Sequence, residues 1–302
     1  MYPVNDAHCH FFSPRFFETL ARDAGGRFGA DAATSIPAVL GFDPPVSPEA
    51  LADRWVAELD RHAVGRAAAI ASVPGDEESV VTAVGRHPAR FVGYFMVNPL
   101  AADAETRVTR ALAAGLRVVC LFPAMHRYSL HDERVSRVVE AASQSAGAAV
   151  FVHCGVLSVG IRRKLGLPSR FEGRFGQPLD VQALASTWPS LPFIIPHFGA
   201  GFFREALMAA DMSRNIVLDT SSSNDWIKYA PGLELRDVFR HALRVCGADR
   251  LLFGTDSSFF PRGWQRPVFE AQQSALDALG LNAADRELIF GGTFDRLFPQ
   301  TS

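Results

Sequence analysis

The chain of 302 residues is 48% hydrophobic and 21% charged, a composition that is ordinary for a globular protein with a large core. Its formal net charge is -2 at pH 7, so the charge balance excludes an obvious nucleic-acid or anionic-membrane partner. The four cysteines are scattered, and the N-terminal residues show neither a basic nor an apolar leader region. We therefore expect a cytoplasmic protein with reduced thiols and no membrane-spanning segment.

Eight short apolar runs recur along the chain, and amphipathic stretches lie between them. Most runs are apolar almost throughout, which is typical of parallel strands buried on both faces. The predicted strands are residues 4–10, 67–72, 91–97, 117–122, 148–153, 193–197, 216–219 and 251–256. The predicted helices include residues 48–62, 132–146, 180–188, 235–246, 267–279 and 282–297. Eight βα units in a chain of this length predict an α/β fold, a (β/α)8 TIM barrel that forms one domain over residues 1–302.

Two segments depart from this alternation. Residues 11–46 follow the first predicted strand, are long for a βα loop and are rich in Gly, Pro and Phe. Because active sites of barrels form at the carboxyl ends of the strands, we interpret this insertion as a lid or pocket wall. Residues 155–177 follow the fifth strand and carry five basic residues. This second segment is predicted to shape the pocket or to form an oligomer contact.

Histidine and aspartate residues mark the ends of four predicted strands. His8 and His10 end the first strand and share one face, because side chains alternate along a strand. His153, His197 and Asp256 end the fifth, sixth and eighth strands, and all strand ends of a barrel converge on one face. Imidazole nitrogens with one carboxylate suit a catalytic divalent ion, of which zinc fits best. Such an ion lowers the pKa of a bound water towards neutrality.

The ordered pattern resembles the amidohydrolase superfamily over nearly the whole chain. It consists of Asp-x-His-x-His at 6–10, the histidines of strands five and six, Gly-Thr-Asp at 254–256 and Gly-Gly-Thr-x-x-Arg-Leu-Phe at 291–298. Within the superfamily it is similar to the amidohydrolase-2 branch, which includes aminocarboxymuconate-semialdehyde decarboxylases, aromatic-acid decarboxylases and lactone-type hydrolases. Thr293 stands where that branch commonly has Asn.

The resemblance implies a role for each strand-end residue. One metal ion would be held by His8, His10, His153 and Asp256. His197 would act beside the metal water as a base or as a polariser of a substrate oxygen, and Asp256 would pass on the proton.

The number of metal ions follows from the end of strand four. Some relatives hold a second metal through a carboxylated lysine at that position, where this chain has Cys-Leu-Phe-Pro at 120–123. The resemblance therefore implies a mononuclear site, with Zn²⁺ as the first expectation and Mn²⁺ or Fe²⁺ as alternatives. Asp6, which lies one pleat deeper, is interpreted as a supporting residue.

Two reactions fit these residues. In a hydrolase, activated water attacks an ester, lactone or amide carbonyl of a small cyclic or aromatic acid. In a decarboxylase, an arginine should clamp a carboxylate bidentately. The arginine candidates are Arg15, Arg54, Arg127, Arg162 and Arg262. Arg127 is the first choice because it follows strand four, but no single arginine must be the clamp. We therefore expect a metal-dependent hydrolase, with a decarboxylase as the alternative and a non-catalytic binding barrel as the remote one.

Aromatic residues near the strand ends predict a partly apolar pocket for a small-molecule substrate. Phe12, in the insertion, and Trp264, which follows strand eight, are the candidate substrate contacts. The alternative is that such residues pack the insertion onto the barrel or form the contact of a homodimer. Cys9 and Cys154 neighbour the predicted ligands in sequence, but the pleat turns them to the opposite face, so we interpret them as packing residues.

Overall fold

A computed structural model describes residues 3–25, 27–29 and 31–300. Its eight parallel strands lie in the sheet in the order in which they occur in the chain. The strands are β1 (Val4–Asp6), β2 (Val64–Ala71), β3 (Phe91–Val97), β4 (Val118–Leu121), β5 (Ala149–Val152), β6 (Phe193–Ile195), β7 (Ile216–Asp219) and β8 (Leu251–Leu252). The predicted positions of all eight strands are confirmed, and the bounds of β3 and β7 agree to the residue.

Backbone hydrogen bonds between the continuations of β1 and β8 close the barrel. Ala7 N donates to the Phe253 carbonyl over 2.8 Å, and Asp256 N donates to the His8 carbonyl over 2.9 Å. Both strands end earlier than predicted, because beyond Asp6 the ladder is reduced to isolated bridges such as Cys9 with Ser257. The predicted TIM barrel is therefore confirmed, and the hydrogen bonds between the continuations of its first and last strands reach the residues of the candidate site.

Helical segments surround the strands. They are α1 (Pro14–Asp23), α2 (Ala32–Leu40), α3 (Pro48–Arg61), α4 (Glu77–Arg86), α5 (Ala104–Ala113), α6 (Pro123–His126), α7 (Glu133–Ser143), α8 (Gly160–Lys164), α9 (Pro178–Thr187), α10 (Phe203–Met212), α11 (Leu235–Cys246), α12 (Arg266–Ala278), α13 (Ala283–Glu287) and α14 (Thr293–Leu297). A π-helical turn, Leu288–Gly292, joins α13 to α14, so the predicted helix at 282–297 is helical almost throughout. Short 3₁₀ turns are Gly173–Phe175, Pro196–Gly199, Asp225–Tyr229 and Ala248–Arg250.

The core consists of two main layers, which the alternation of side chains along the strands separates. One layer fills the inside of the barrel, where Tyr94 and Phe151 are fully buried. The other lies between the strands and the outer helices. The predicted start of α3 is confirmed: Ser47 Oγ accepts a hydrogen bond from Ala50 N over 3.2 Å, and Pro48 occupies the first helical position.

The insertion after β1 forms two helices, α1 and α2, rather than an irregular loop. Its own apolar cluster includes Phe16, Phe17 and Ile36. Ser13 caps α1, and its hydroxyl shares one hydrogen between the two carboxylate oxygens of Asp76, at 2.8 and 2.7 Å, which ties the insertion to the loop after β2. The pocket-wall interpretation agrees with this position, and movement of the segment as a lid stays a prediction.

Six residues of the predicted domain lie outside the described part of the chain. They are Met1, Tyr2, Gly26, Ala30, Thr301 and Ser302. Of the helices that the structure describes, none is both long enough and apolar enough to cross a bilayer.

Candidate active site

Two histidines that follow β1 and one aspartate that follows β8 meet at the carboxyl-terminal mouth of the barrel. Nε2 of His10 is 3.1 Å from Oδ1 of Asp256, and Nε2 of His8 is 3.7 Å from the same oxygen. Ligand atoms of the three residues all lie within 4.8 Å of one another. Ligands held at about 2.1 Å from a tetrahedral ion lie about 3.4 Å apart, so these separations suit a shared ion.

Hydrogen bonds fix the rings of both histidines. Nδ1 of His8 is 2.7 Å from Oδ2 of Asp219, which can only accept, so the Nδ1 hydrogen of His8 points to Asp219. Nδ1 of His10 is 2.7 Å from Oγ of Ser72, which donates its own hydrogen to the Ile70 carbonyl over 2.9 Å. Each ring therefore turns its Nε2 atom towards Asp256.

Asp256 adopts a left-handed backbone conformation with φ 61°, which directs its carboxylate into the mouth. Its carbonyl oxygen accepts a 2.9 Å hydrogen bond from Nε2 of Gln265. Burial alone would raise the pKa of the carboxyl, but the contact with His10 and the neighbouring His8 and His197 rings outweigh burial. The pKa of Asp256 therefore lies well below its usual range, and the carboxylate is ionised at neutral pH.

His153, which follows β5, is buried and stacks on Phe122 with ring centroids 5.3 Å apart. Its Nδ1 atom is buried without a hydrogen-bond partner among the described residues. Burial, with the neighbouring His197 and His8, holds the pKa of His153 well below its usual range. The ring is therefore neutral and keeps a lone pair available. It lies beside the His8, His10 and Asp256 group but outside the set of atoms within 4.8 Å.

His197 follows β6 in a 3₁₀ turn and has a left-handed backbone, with φ 55°. Its ring centroid is 4.9 Å from that of His8 and 5.4 Å from that of His153. Burial and the nearby His8 lower its pKa. The loops of β5 and β6 touch at Gly155, where a Cβ would lie 2.2 Å from the Gly199 carbonyl oxygen. Only glycine allows the two histidine loops to approach this closely.

Asp6 supports the site from below, as predicted from its position one pleat deeper. Its Oδ1 atom accepts from the backbone nitrogens of His8 and Thr255, at 2.9 and 3.0 Å. Its Oδ2 atom accepts from Oγ1 of Thr255 at 2.5 Å and from Nε1 of Trp264 at 2.7 Å. Asp6 thereby holds the ends of β1 and β8 in register.

Two predicted substrate contacts are corrected by their positions. Trp264 is buried behind Asp6 and does not line the cavity, because its indole packs against Phe253 and Phe269. Arg127 is exposed, lies outside the cavity and pairs with Glu172 over 3.3 Å. The position of Arg127 after β4 did not predict a cavity contact, because α6 lies between β4 and Arg127 and directs the chain away from the cavity.

Arg262 and Phe12 are the predicted substrate contacts that do line the cavity. The guanidinium of Arg262 lies 4.4 Å from the centre of the Phe259 ring and donates to Oγ of Ser258 over 2.7 Å. Phe12 stacks on Phe16, with ring centroids 4.0 Å apart. The other arginine candidates, Arg15, Arg54 and Arg162, pair with carboxylates of the insertion.

The cavity at this mouth has a volume of about 730 Å³ and is lined by His8, His10, His153, His197 and Asp256. That volume is typical of a small-molecule site. Phe122, which follows β4, also lines the cavity. The mononuclear site implied by the sequence stays a prediction.

Three polar residues that the sequence analysis did not single out hold the histidines. Asp219 is completely buried, Ser221 lies 3.0 Å from Nδ1 of His8 and 2.9 Å from Nδ1 of His197, and Ser72 contacts His10. Asp219 ends a predicted strand, so the strand-end argument that found the other residues also applied to it.

Comparison with known proteins places the chain in a family. A family model described as amidohydrolase matches residues 5–300. A comparison with curated proteins finds no match. Several solved structures match along their whole length, at identities that show a shared fold.

Three of these structures illustrate the range of the fold. A 5-carboxyvanillate decarboxylase from Novosphingobium aromaticivorans, with bound manganese and 3-methoxy-4-hydroxy-5-nitrobenzoic acid, is 13% identical with a TM-score of 0.66, covering 98% of this chain and 97% of that one. An amidohydrolase from Burkholderia multivorans with bound zinc is 19% identical with a TM-score of 0.64, covering 99% and 100%. A probable 2-pyrone-4,6-dicarboxylic acid hydrolase from Acinetobacter baumannii with bound citric acid is 14% identical with a TM-score of 0.60, covering 98% of both. The chain belongs to the amidohydrolase family.

Proposed function

We propose that this amidohydrolase is a mononuclear metal-dependent hydrolase that cleaves an ester, lactone or amide bond of a small cyclic or aromatic acid. One observation carries the proposal. The Nδ1 hydrogens of His8 and His10 are committed to Asp219 and Ser72, so two Nε2 atoms face the carboxylate of Asp256. Nitrogen and oxygen atoms that face one another in this way need a proton or a metal cation between them.

The proposed ligands are His8, His10, His153 and Asp256. The unpartnered Nδ1 of His153 fits this role, because a buried nitrogen without a hydrogen-bond partner is costly unless something binds it. Three imidazoles with one carboxylate suit zinc first, and manganese or iron as alternatives. When bound, such an ion acts as a Lewis acid on a carbonyl oxygen and lowers the pKa of water.

The protein residues supply orientation and proton transfer. Asp256, ionised at neutral pH, is the proposed proton acceptor at its carboxylate oxygens. His197 is the second proposed catalytic residue, because its neutral ring borders the cavity beside His8. Phe12 and Phe122 line the same space and exclude water from part of it.

The lining of the cavity supports an acidic, ring-shaped substrate. Phe12, Phe16, Phe42 and Phe259 contribute aromatic surface near the mouth. Arg262 contributes a cation, and its guanidinium forms no ion pair with a carboxylate side chain in the described part of the chain. The name of the Acinetobacter structure, a dicarboxylic acid hydrolase, supports the same substrate chemistry.

Decarboxylation of an aromatic or unsaturated acid is the second candidate. Arg262 favours it, because this arginine supplies near Asp256 the carboxylate clamp that the sequence did not single out. The name of the Novosphingobium structure, a decarboxylase, supports this alternative. Hydrolysis is preferred, because Asp256 and His197 offer a proton acceptor and a second polar group beside one carbonyl.

A substrate panel distinguishes the two reactions. Purified, zinc-supplemented protein is incubated with lactones, esters, amides and aromatic acids while pH and released CO2 are recorded. Acid production without CO2 supports hydrolysis, and CO2 release supports decarboxylation. If acid production or CO2 release is lost in His197→Ala, that activity belongs to this site. Activity that persists in the variant contradicts the proposal. A cytoplasmic location and a homodimer stay predictions, which cell fractionation and sedimentation would test.

A further inference from the structure

Cationic side chains line the cavity from three different loops. Two of them lie at the end of α8, one lies in the 3₁₀ turn after β7 and one follows β8: Arg163, Lys164, Lys228 and Arg262. Two carboxylates, Asp225 and Asp256, line the same cavity. If Asp256 is a metal ligand, the remaining lining carries a clear excess of positive charge away from the metal centre.

Arg163, Lys164 and Lys228 have no carboxylate within ion-pair distance among the residues that the structure describes. Aromatic rings are their neighbours instead. Nζ of Lys164 is 5.8 Å from the centre of the Phe42 ring, and Nζ of Lys228 is 5.3 Å from that of Tyr229. These charges are therefore available to an anionic ligand, and the rings offer flat apolar surface beside them.

The distribution of lysine in the chain is unusual. Of the 30 Lys and Arg residues, two are lysines, and both line this cavity. They come from different loops, one after β5 and one after β7. Both side chains are exposed at the rim of the cavity, a position from which two loops can hold one anion between them.

We propose that Arg163, Lys164 and Lys228 form a second anion-binding subsite, so that the substrate carries a second carboxylate besides the reacting carbonyl. For the identity of the reacting group, this inference rests on the proposed function. Binding of the second carboxylate depends on the charges of the chain itself, and so it can be tested without turnover.

Calorimetric titration of the full chain with benzoate and with benzene-1,3-dicarboxylate tests the subsite. We expect the dicarboxylate to bind about tenfold more tightly at low salt, and the preference to shrink as salt is added. Lys164→Met combined with Lys228→Met should remove most of the preference and change benzoate affinity less than about twofold. Arg127→Gln, a cation outside the cavity, is the matched control and should behave as the wild type.

Three results would overturn the subsite: equal affinity for the two acids, no binding of the dicarboxylate, or an unchanged preference in the double variant. Metal content is measured in the same samples. A lysine-dependent preference in a protein that takes up no metal would support the subsite and contradict the proposed function. A protein that takes up a full complement of metal but shows no preference for the dicarboxylate would support the proposed function and contradict the subsite.

A second inference comes from the hydroxyl of Ser221, which lies between two histidines. The Nδ1 hydrogen of His8 already points to Asp219, so the Ser221 hydroxyl has Nδ1 of His197, 2.9 Å away, as its acceptor. The carbonyl oxygen of Ser221 lies 3.2 Å from the same nitrogen and would favour the opposite tautomer. The first arrangement satisfies the hydroxyl and uses the shorter contact.

The geometry points to Ser221 as a positioning residue that keeps the hydrogen of His197 on Nε2. In this tautomer His197 donates a hydrogen bond to a substrate oxygen, and Asp256 alone accepts the proton. The sequence left the two roles of His197, base or polariser, open, and Ser221 assigns the second.

Nitrogen-15 spectra of the histidine rings in zinc-loaded protein test this assignment. We expect the Nε2–H pattern for His197 in the wild type and the Nδ1–H pattern in Ser221→Ala. Ser72→Ala, which removes the equivalent hydroxyl beside His10, should leave the pattern of His197 unchanged. An Nδ1–H pattern in the wild type, or no change in Ser221→Ala, would overturn the assignment.

Discussion

The two sides of the candidate metal centre differ in how firmly their donors are held. On the β1 and β8 side, Asp219 and Ser72 bind the outer nitrogens of His8 and His10 at 2.7 Å. On the β5 side, the Nδ1 atom of His153 is buried without a partner among the described residues. The proposed ligands on one side are therefore held by protein hydrogen bonds alone, and the proposed metal ion would give His153 the partner that it lacks on the other.

The two sides also differ in the contacts that hold their proposed ligands in place. His8 and Asp256 are connected by backbone hydrogen bonds that close the barrel, so fold stability and ligand geometry depend on the same contacts. His153 is held by stacking on Phe122, which fixes the plane of the ring but offers no hydrogen bond. Substitutions on the two sides should therefore have different consequences.

The largest expected effect concerns the pocket between the two sides. His197→Ala should lower turnover roughly 10²- to 10⁴-fold and keep the metal, because the proposed role of His197 is to act on the substrate and not to hold the ion. Turnover and metal content are measured together. His241→Ala, an exposed histidine on α11, is the control and should change neither. Near-normal turnover in His197→Ala would remove this residue from the mechanism.

The next test weakens the hydrogen bonds on the β1 and β8 side without replacing a proposed metal ligand. Asp219→Asn should reduce metal affinity about 10- to 100-fold, because an amide oxygen holds the Nδ1 hydrogen of His8 less strongly than a carboxylate does. Competition with a chelator measures the affinity. Asp225→Asn, an exposed carboxylate that lines the same cavity, should leave metal affinity within about twofold.

His153→Leu tests the β5 side through its effect on the free energy of unfolding. In the presence of a chelator, the variant should be more stable than the wild type by about 1–3 kcal/mol, because it removes a buried nitrogen without a partner. With metal the order should reverse, because the wild type gains the binding free energy. Denaturant unfolding with and without chelator measures both. A variant that is less stable in both conditions would contradict the difference between the two sides.

The smallest expected effect concerns Asp76, which holds the insertion through Ser13. Burial raises the pKa of Asp76 from 3.8 to about 6. Its contribution to stability is therefore complete below about pH 4 and is lost as pH rises through about 6. Asp76→Asn, which cannot ionise, should be more stable than the wild type by about 1–3 kcal/mol at pH 8 and equal to it near pH 4. A difference independent of pH would contradict this assignment.

The periodicity of the sequence predicted the barrel, because each strand is an apolar run that short-range patterns reveal. The same periodicity failed for residues 11–46, where Gly and Pro suggested an irregular loop. The segment forms α1 and α2 instead, because an apolar cluster that includes Phe16 and Ile36 stabilises these helices. Local composition does not report such tertiary contacts.

The convergence of strand ends in a barrel predicted that His8, His10 and Asp256 lie together, with His153 and His197 beside them. It could not rank the arginines, because their long side chains and loop positions depend on where each loop turns. Arg127 leaves the mouth through α6, whereas Arg262 stays beside Asp256. Ser221 and Ser72 are too common in type to be singled out from sequence.

Metal content is the most direct test of the central claim that donors from distant strands hold one ion. Elemental analysis of the purified protein should find about one zinc, manganese or iron per chain, and His8→Ala or Asp256→Ala should reduce it to near zero while the barrel stays folded by circular dichroism. Full metal occupancy in both variants would contradict the account.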